Sequence, residues 1–345
     1  MMRCRRYALP LLLGLAASGV VPAVAAPAVR TVIDQAGHQV AVPMAARRIA
    51  DLWYAHNEVL IMLGAGPSIA VTVDRPSTTP WMFRVAPELN RAIQLASPTP
   101  TAEALLAAGV DLAFVPGNAR PEADTLRRVG IPTLQVMFTG GASLMRCLAV
   151  TADALNTDRA RTTAARYDAY LTSTVANLRA VTDRFAPASR PRVLHIMSLS
   201  PLRVDGADTV IDDWISIAGG RNAAAGLVGN MKPVSLEQVV AWNPDIIILG
   251  GEAGPLDAAT ADPLWRSVKA VQDGRVYRNP AGVYEWDRYG AEYALQMQWA
   301  AKTLHPELFA GIDMVALSRA FYRDFFSYPL TADEAQRILA AQPPA

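Results

Sequence analysis

The chain has 345 residues, with 32 Lys and Arg against 31 Asp and Glu, two cysteines, and 52% hydrophobic against 18% charged residues. These counts exclude a collagen, a disordered tail and a disulfide-stapled miniprotein. A formal net charge of +1, with no basic block, argues against nucleic-acid binding, and the length suffices for about two domains with their own cores.

At the amino terminus Arg3, Arg5 and Arg6 precede an apolar run from Ala8 to Val21, followed by Pro22 and the small residues Ala23-Val24-Ala25. This is the order of a secretory signal peptide, predicted over residues 1–25 with cleavage after Ala25 or Ala26. A transmembrane anchor is the alternative, but the run falls short of the ~20 residues that span a bilayer. Removing three arginines leaves 29 basic and 31 acidic residues, a mature net charge of −2. Cys4 leaves with the signal. Cys147, flanked by Leu144, Met145, Leu148 and Val150, is then a small buried hydrophobe with no disulfide partner.

Past the signal, strand-length apolar runs alternate with helical patterns, the signature of an α/β protein with mainly parallel sheets. Strands are predicted at 48–52, 69–73, 112–115 and 133–136, then at 192–197, 246–249 and 276–278. Helices are predicted at 57–63, 101–108, 122–129, 235–242 and 291–304. The two halves echo each other. The segment Thr101 to Val115 matches Ser235 to Leu249 at an offset of 134, each running hydroxyl cap, Glu103 or Glu237, apolar helix, then Asp111 or Asp245 opening a strand. Two lobes of one topology explain this most simply.

Between the halves, Thr157 to Arg184 contains no Gly or Pro and spaces Ala164, Tyr167, Leu171, Val175 and Leu178 as one helical face. Thr157 is its expected cap, and the helix would be about 42 Å long, a strut rather than a flexible linker.

Taken together, these residues resemble the helical-backbone class of periplasmic solute-binding proteins that serve iron-siderophore, haem and cobalamin ABC importers. The resemblance is carried by Thr31 to Pro43 as an opening hairpin, Arg48-Ile49, Glu58 to Gly66, both Glu/Asp segments, and Phe321 to Glu334 near the carboxy terminus. It implies two Rossmann-like lobes, residues 26–156 and 187–345, joined by one long backbone helix over residues 157–186. It also implies a monomeric carrier in the periplasm, an inner-membrane permease dimer with its ATPase as partner, and a small-molecule metal chelate as cargo, with no intrinsic cofactor. Glu103 and Glu237 match the pair of glutamates that dock on permease arginines in that family. A plain structural reading is that an acid in a first helical turn merely favours the helix dipole.

Ligand is expected at the strand ends between the lobes. The segments there supply Trp53, Tyr54 and His56, then Trp81, Phe83 and Arg84, then Asn118 and Arg120, and finally Tyr284, Trp286 and Arg288. Met197, Arg203 and Trp214 are further candidates from the second half. Aromatic faces and arginines suit a planar, anionic chelate, although aromatics beside strand ends also build cores, an alternative that applies to Trp53, Phe83, Trp286 and Tyr289. A ferric siderophore ranks first, with haem, a corrinoid or another chelate such as nickel as runner-up. His56, Tyr284 and Tyr54 are the candidates for a direct bond to an incompletely wrapped metal; the chain has four histidines, too few and too scattered for a bare-ion site. No G-x-S-x-G, H-E-x-x-H, phosphate-binding loop or dinucleotide fingerprint is present, which argues against an enzyme.

Overall fold

The computed structural model describes residues 28–255 and 262–345; the expected signal segment lies outside the described residues. An antiparallel hairpin, β1 (Val29–Ile33) with β2 (Gln39–Pro43), opens the chain. The first sheet is wholly parallel, in the order β5 (Ile93–Gln94), β4 (Ile69–Thr72), β3 (Ile49–Asp51), β6 (Leu112–Pro116), β7 (Thr133–Val136). The second runs β11 (Lys232–Pro233), β9 (Leu202–Val204), β8 (Arg192–Leu199), β12 (Ile246–Leu249), β13 (Val276–Arg278), with β10 (Arg221–Asn222) pairing the start of β8. Its core is parallel; only the β8–β9–β11 edge is antiparallel.

The period of two along each strand decides which core it feeds. Ile49, Leu112 and Phe114 of the first sheet, and Val193, Ile246 and Ile248 of the second, point into one continuous core. Their neighbours Ala50, Ala113 and Val115 enter a separate outer core of the first lobe. Leu194, Ile247 and Leu249 do the same in the second. The shared inner core also receives the helix Asp158–Thr182 through Tyr167, Leu171 and Leu178. Thr157 caps this 25-residue helix by accepting the Ala160 N–H at 3.1 Å, and Cys147 is buried beside it in the same core.

The echo between the halves is physical. Thr101 and Ser235 each cap their helix, accepting the N–H of Ala104 and of Gln238 at 3.3 Å. Asp111 accepts the backbone N–H of Arg47 and Arg48, and Asp245 accepts that of Arg192. The Arg48 and Arg192 guanidiniums then donate to the closing carbonyls of the two preceding helices, Ala108 and Trp242. Each lobe thus pins helix end, strand start and neighbouring strand through one Arg–Asp pair.

Several further contacts tie the lobes together. Thr209 caps the helix Val210–Ile217 by accepting the Asp212 N–H, which leaves the Asp213 carboxylate to other partners. Asp213 instead accepts from Gly141 N–H at 3.2 Å and from Tyr293 O–H at 2.6 Å, joining two helices. The carboxy-terminal helix Ala332–Leu339 and the tail after it return to the first lobe, where Trp81 Nε1 donates to the Gln342 carbonyl at 2.9 Å.

Candidate interlobe binding site

A cavity of about 590 Å³ opens between the lobes, lined from the first by Tyr54, Asp74 and Ser77 to Trp81, and from the second by Met197, Met231, Gly251-Glu252 and Ala281 to Glu285 with Arg288. Four of these segments follow parallel strands: Tyr54 lies beyond β3, Asp74 beyond β4, Gly251 beyond β12 and Tyr284 beyond β13. Loops at the carboxyl ends of parallel strands converge because every strand in such a sheet points the same way.

Arg288 is 9% exposed, and its buried Nη2 has no hydrogen-bond partner among the described residues. Its Nε lies 3.1 Å from Met197 Sδ and 3.6 Å from Glu285 Oε2. Burial opposes its charge, but Asp287, Asp205 and Glu285 hold the guanidinium protonated. Three acids also face the cavity. Burial pushes Asp74 up to about 8, against the Asn57 Nδ2 hydrogen bond of 2.7 Å and with help from the Asp51 charge. Burial and then the Asp287 charge push Glu285 up to about 7, with Arg288 opposing. Glu252 is the third.

Five of the residues expected at the cleft line the cavity: Tyr54, Trp81, Met197, Tyr284 and Arg288. The others sit elsewhere. His56 is fully buried, with Nδ1 at 2.9 Å from Asp51 and Nε2 at 2.9 Å from Thr151, so neither nitrogen is free for a metal. Burial alone would lower it, but the Asp51 charge and hydrogen bond raise it to about 10. Trp53 packs on Phe138 and Tyr289 at ring distances of 5.1 and 5.8 Å. Phe83, Trp214 and Trp286 are core residues, the two indoles donating to the Asp287 carbonyl and to Glu292. Arg84 is turned out to Tyr328 and Glu334. Asn118 and Arg120 are exposed at the start of the helix Arg120–Arg128. Arg203 donates to the Met231 carbonyl and so shapes the cavity wall without lining it. Tyr284 faces the cavity, yet burial and then Glu285 push its phenol far up, which opposes a phenolate–metal bond.

Asp74, Met231, Glu252, Glu285 and the tail at Gln342 are cavity residues that sequence reasoning passed over. The first and third were within reach, since each lies just after a predicted strand.

Two buried polar clusters lie near the cavity, one within the second lobe and one joining the two lobes. His195, on the inner-core face of β8, is clamped by Asp205 at 2.8 Å and Asp287 at 2.7 Å. Burial alone would lower it; the hydrogen bonds and charges of both aspartates raise it to about 9. Glu292 accepts from Tyr322 O–H, Trp286 Nε1–H and Tyr284 N–H, while its own N–H donates to Glu58 of the first lobe at 2.9 Å. Burial pushes both carboxyls up, Glu292 to about 7. Gly282 and Gly290 leave no room for a Cβ against these carboxylates.

The pH dependence follows in sign. His195 stabilises the fold fully below its ordinary value near 6.5, and that contribution is lost as pH rises through about 9. Glu292, Glu285 and Asp74, raised above their unfolded values, also favour folding less as pH rises through about 7 to 8. Urea unfolding is therefore expected to give a stability lower at pH 9 than at pH 6 by on the order of a few kcal/mol. A stability that climbs over this interval would contradict the arrangement.

A family model described as periplasmic binding protein matches residues 49–282. The molybdate-binding protein MolA of Haemophilus influenzae is 28% identical over 173 residues, 49% of this chain and 49% of that protein. The match therefore spans about half the length of that curated relative. Among solved structures, a periplasmic solute binding protein from Veillonella parvula superposes with a TM-score of 0.77 at 24% identity, covering 91% of this chain and 97% of that one. MolA bound to molybdate gives 0.78 at 21% identity over 88% and 99%, and Helicobacter pylori CeuE with Ni(II) bound gives 0.73 at 18% over 90% and 99%. These likenesses show the two-lobed fold.

Proposed function

The chain belongs to the periplasmic binding protein family, and on that premise we propose that it captures a metal chelate of siderophore type in its interlobe cavity and delivers it to an ABC permease. The observation that carries this reading is the cavity itself: about 590 Å³, walled by Tyr54, Trp81 and Tyr284, softened by Met197 and Met231, with Arg288 as its lining cation. Clefts of this size hold organic ligands of some tens of atoms, and flat aromatic walls suit a chelate's organic shell. A bare ion would leave most of it to water.

Charge narrows the cargo. Sequence reasoning favoured an anionic chelate because several arginines lay near strand ends, but Arg84 and Arg120 face solvent and Arg203 is spent on a backbone carbonyl. One guanidinium beside three acids suits a chelate of low net charge better than a polyanion. Haem is less well served, because His56 is enclosed and the Tyr284 phenol resists ionisation.

One observation favours a second reading. MolA, related over half the chain, is named for molybdate, and the free Nη2 of Arg288 suits an oxyanion. Native mass spectrometry and a visible spectrum of the protein purified from a periplasmic extract separate the two. A chelate reading expects one organic mass increment per chain with a metal-centred absorption band. A colourless protein carrying a bare oxyanion would replace it with the second.

The exposed Glu103 and Glu237, at matching positions of the two lobes, support docking onto paired permease arginines, and the shared inner core and single backbone helix support small lobe motions. The site of action is the periplasm, reached through the signal segment, and the carrier works as a monomer.

A further inference from the structure

Two residues that line the cavity from opposite lobes each carry a buried polar atom with no partner among the described residues: Asp74 Oδ1 from the first and Arg288 Nη2 from the second. Asp74 is fully buried and Arg288 nine-tenths so. An unsatisfied buried polar group costs about 1–3 kcal/mol, so two of them on one cavity mark where a ligand makes its hydrogen bonds. Arg288 supplies the place for a negative group. Asp74, on the same cavity, would repel that group if ionised.

We infer that Asp74 is a specificity-determining residue that meets the solute as a neutral acid, donating a hydrogen bond to an acceptor oxygen of a ligand whose negative group lies on Arg288, so that at alkaline pH, where the free carboxyl is partly ionised, capture takes up a proton from solution. The inference rests on the cavity being the ligand site. The surroundings of Asp74 agree. Asn57 Nδ2 donates to its Oδ2 at 2.7 Å, which leaves Oδ1 to carry the proton, and Thr72 Oγ1 accepts the Asp74 N–H. The other groups facing it are Thr79 and Asp51 of the first lobe and Tyr284 across the cleft. None of these is a cation that would hold Asp74 ionised. Burial therefore keeps its carboxyl at about 8, protonated at neutral pH. Glu285, beside Arg288, is the second acid on this wall.

The test is titration calorimetry of the mature protein with a ferric trihydroxamate, a ferric catecholate and sodium molybdate, each in buffers of different ionisation enthalpy. For the ligand that binds, uptake of about half a proton at pH 8 is expected from Asp74, and affinity about tenfold weaker at pH 9 than at pH 7. In Asp74→Asn, which keeps a donor but cannot titrate, this dependence should flatten, while Glu285→Gln retains the share due to Asp74. Absence of proton uptake by the native protein, or an unchanged pH slope in Asp74→Asn, overturns the inference. Gly251→Trp, which fills the cavity, separates the two levels. Undiminished binding by Gly251→Trp removes the cleft reading and this inference with it, whereas abolished binding together with a native slope in Asp74→Asn removes the inference alone. Binding of none of the three ligands sinks both.

Discussion

Replacing Arg288 by glutamine is expected to weaken ligand binding about 30- to 1,000-fold, the equivalent of about 2–4 kcal/mol for a desolvated charge-assisted contact. The reason is local. Arg288 is a cation lining the cavity, and its Nη2 is unmatched among the described residues. The substitution also leaves Glu285 and Asp287 without the charge that opposes their mutual repulsion, so Glu285 should move further up and the neutral form of the cavity wall should persist to higher pH. Lysine at this position should recover only part of the affinity, since a single ammonium cannot present the planar fork of a guanidinium. Titration calorimetry of the native and variant proteins reads the effect. A change of less than about threefold in Arg288→Gln would mean that the negative group of the solute lies elsewhere.

Charge reversal at both Glu103 and Glu237 is expected to abolish uptake into vesicles carrying the cognate permease, while solute affinity in solution stays the same. The two carboxylates are exposed in the first turns of capped helices that occupy equivalent places in the two lobes. At Glu237 the hydrogen bonds from its own backbone and from Ser235 hold the carboxyl below the usual range, so it is ionised throughout the working pH range. Neither glutamate lines the cavity, which is why binding and delivery separate. Reversal of one should leave partial uptake, since a symmetric pair of contacts loses half its charge complementarity. Full uptake by the double variant would reduce both glutamates to helix-terminus acids.

Much of the architecture was legible because period-two alternation and capping act locally. The strands at 133–136, 246–249 and 276–278 fall where their apolar runs place them. Thr157, Thr101 and Ser235 cap the helices that their hydroxyls announce. The echo between the halves extends to an Arg–Asp clamp in each lobe that only the structure displays. The site was half legible. A strand end tells where a loop begins but not which way a side chain turns, so Tyr54 faces the cavity while His56, two residues on, is swallowed by Asp51 and Thr151. Trp286 and Arg288 differ in the same way, one donating into the core and the other lining the cleft. Nothing local in Gln342 announces that its carbonyl will meet Trp81 across 261 positions of sequence. Contacts of that span are decided by the packing of whole elements.

The central claim is that one solute is held between the lobes by the segments 74–81, 251–252 and 281–288. Hydrogen–deuterium exchange of the mature protein, with and without the chelate identified in its periplasmic extract, addresses it directly. Protection confined to those three segments is the predicted result. Unchanged exchange there, with protection instead on the outer face around 120–128, would contradict it.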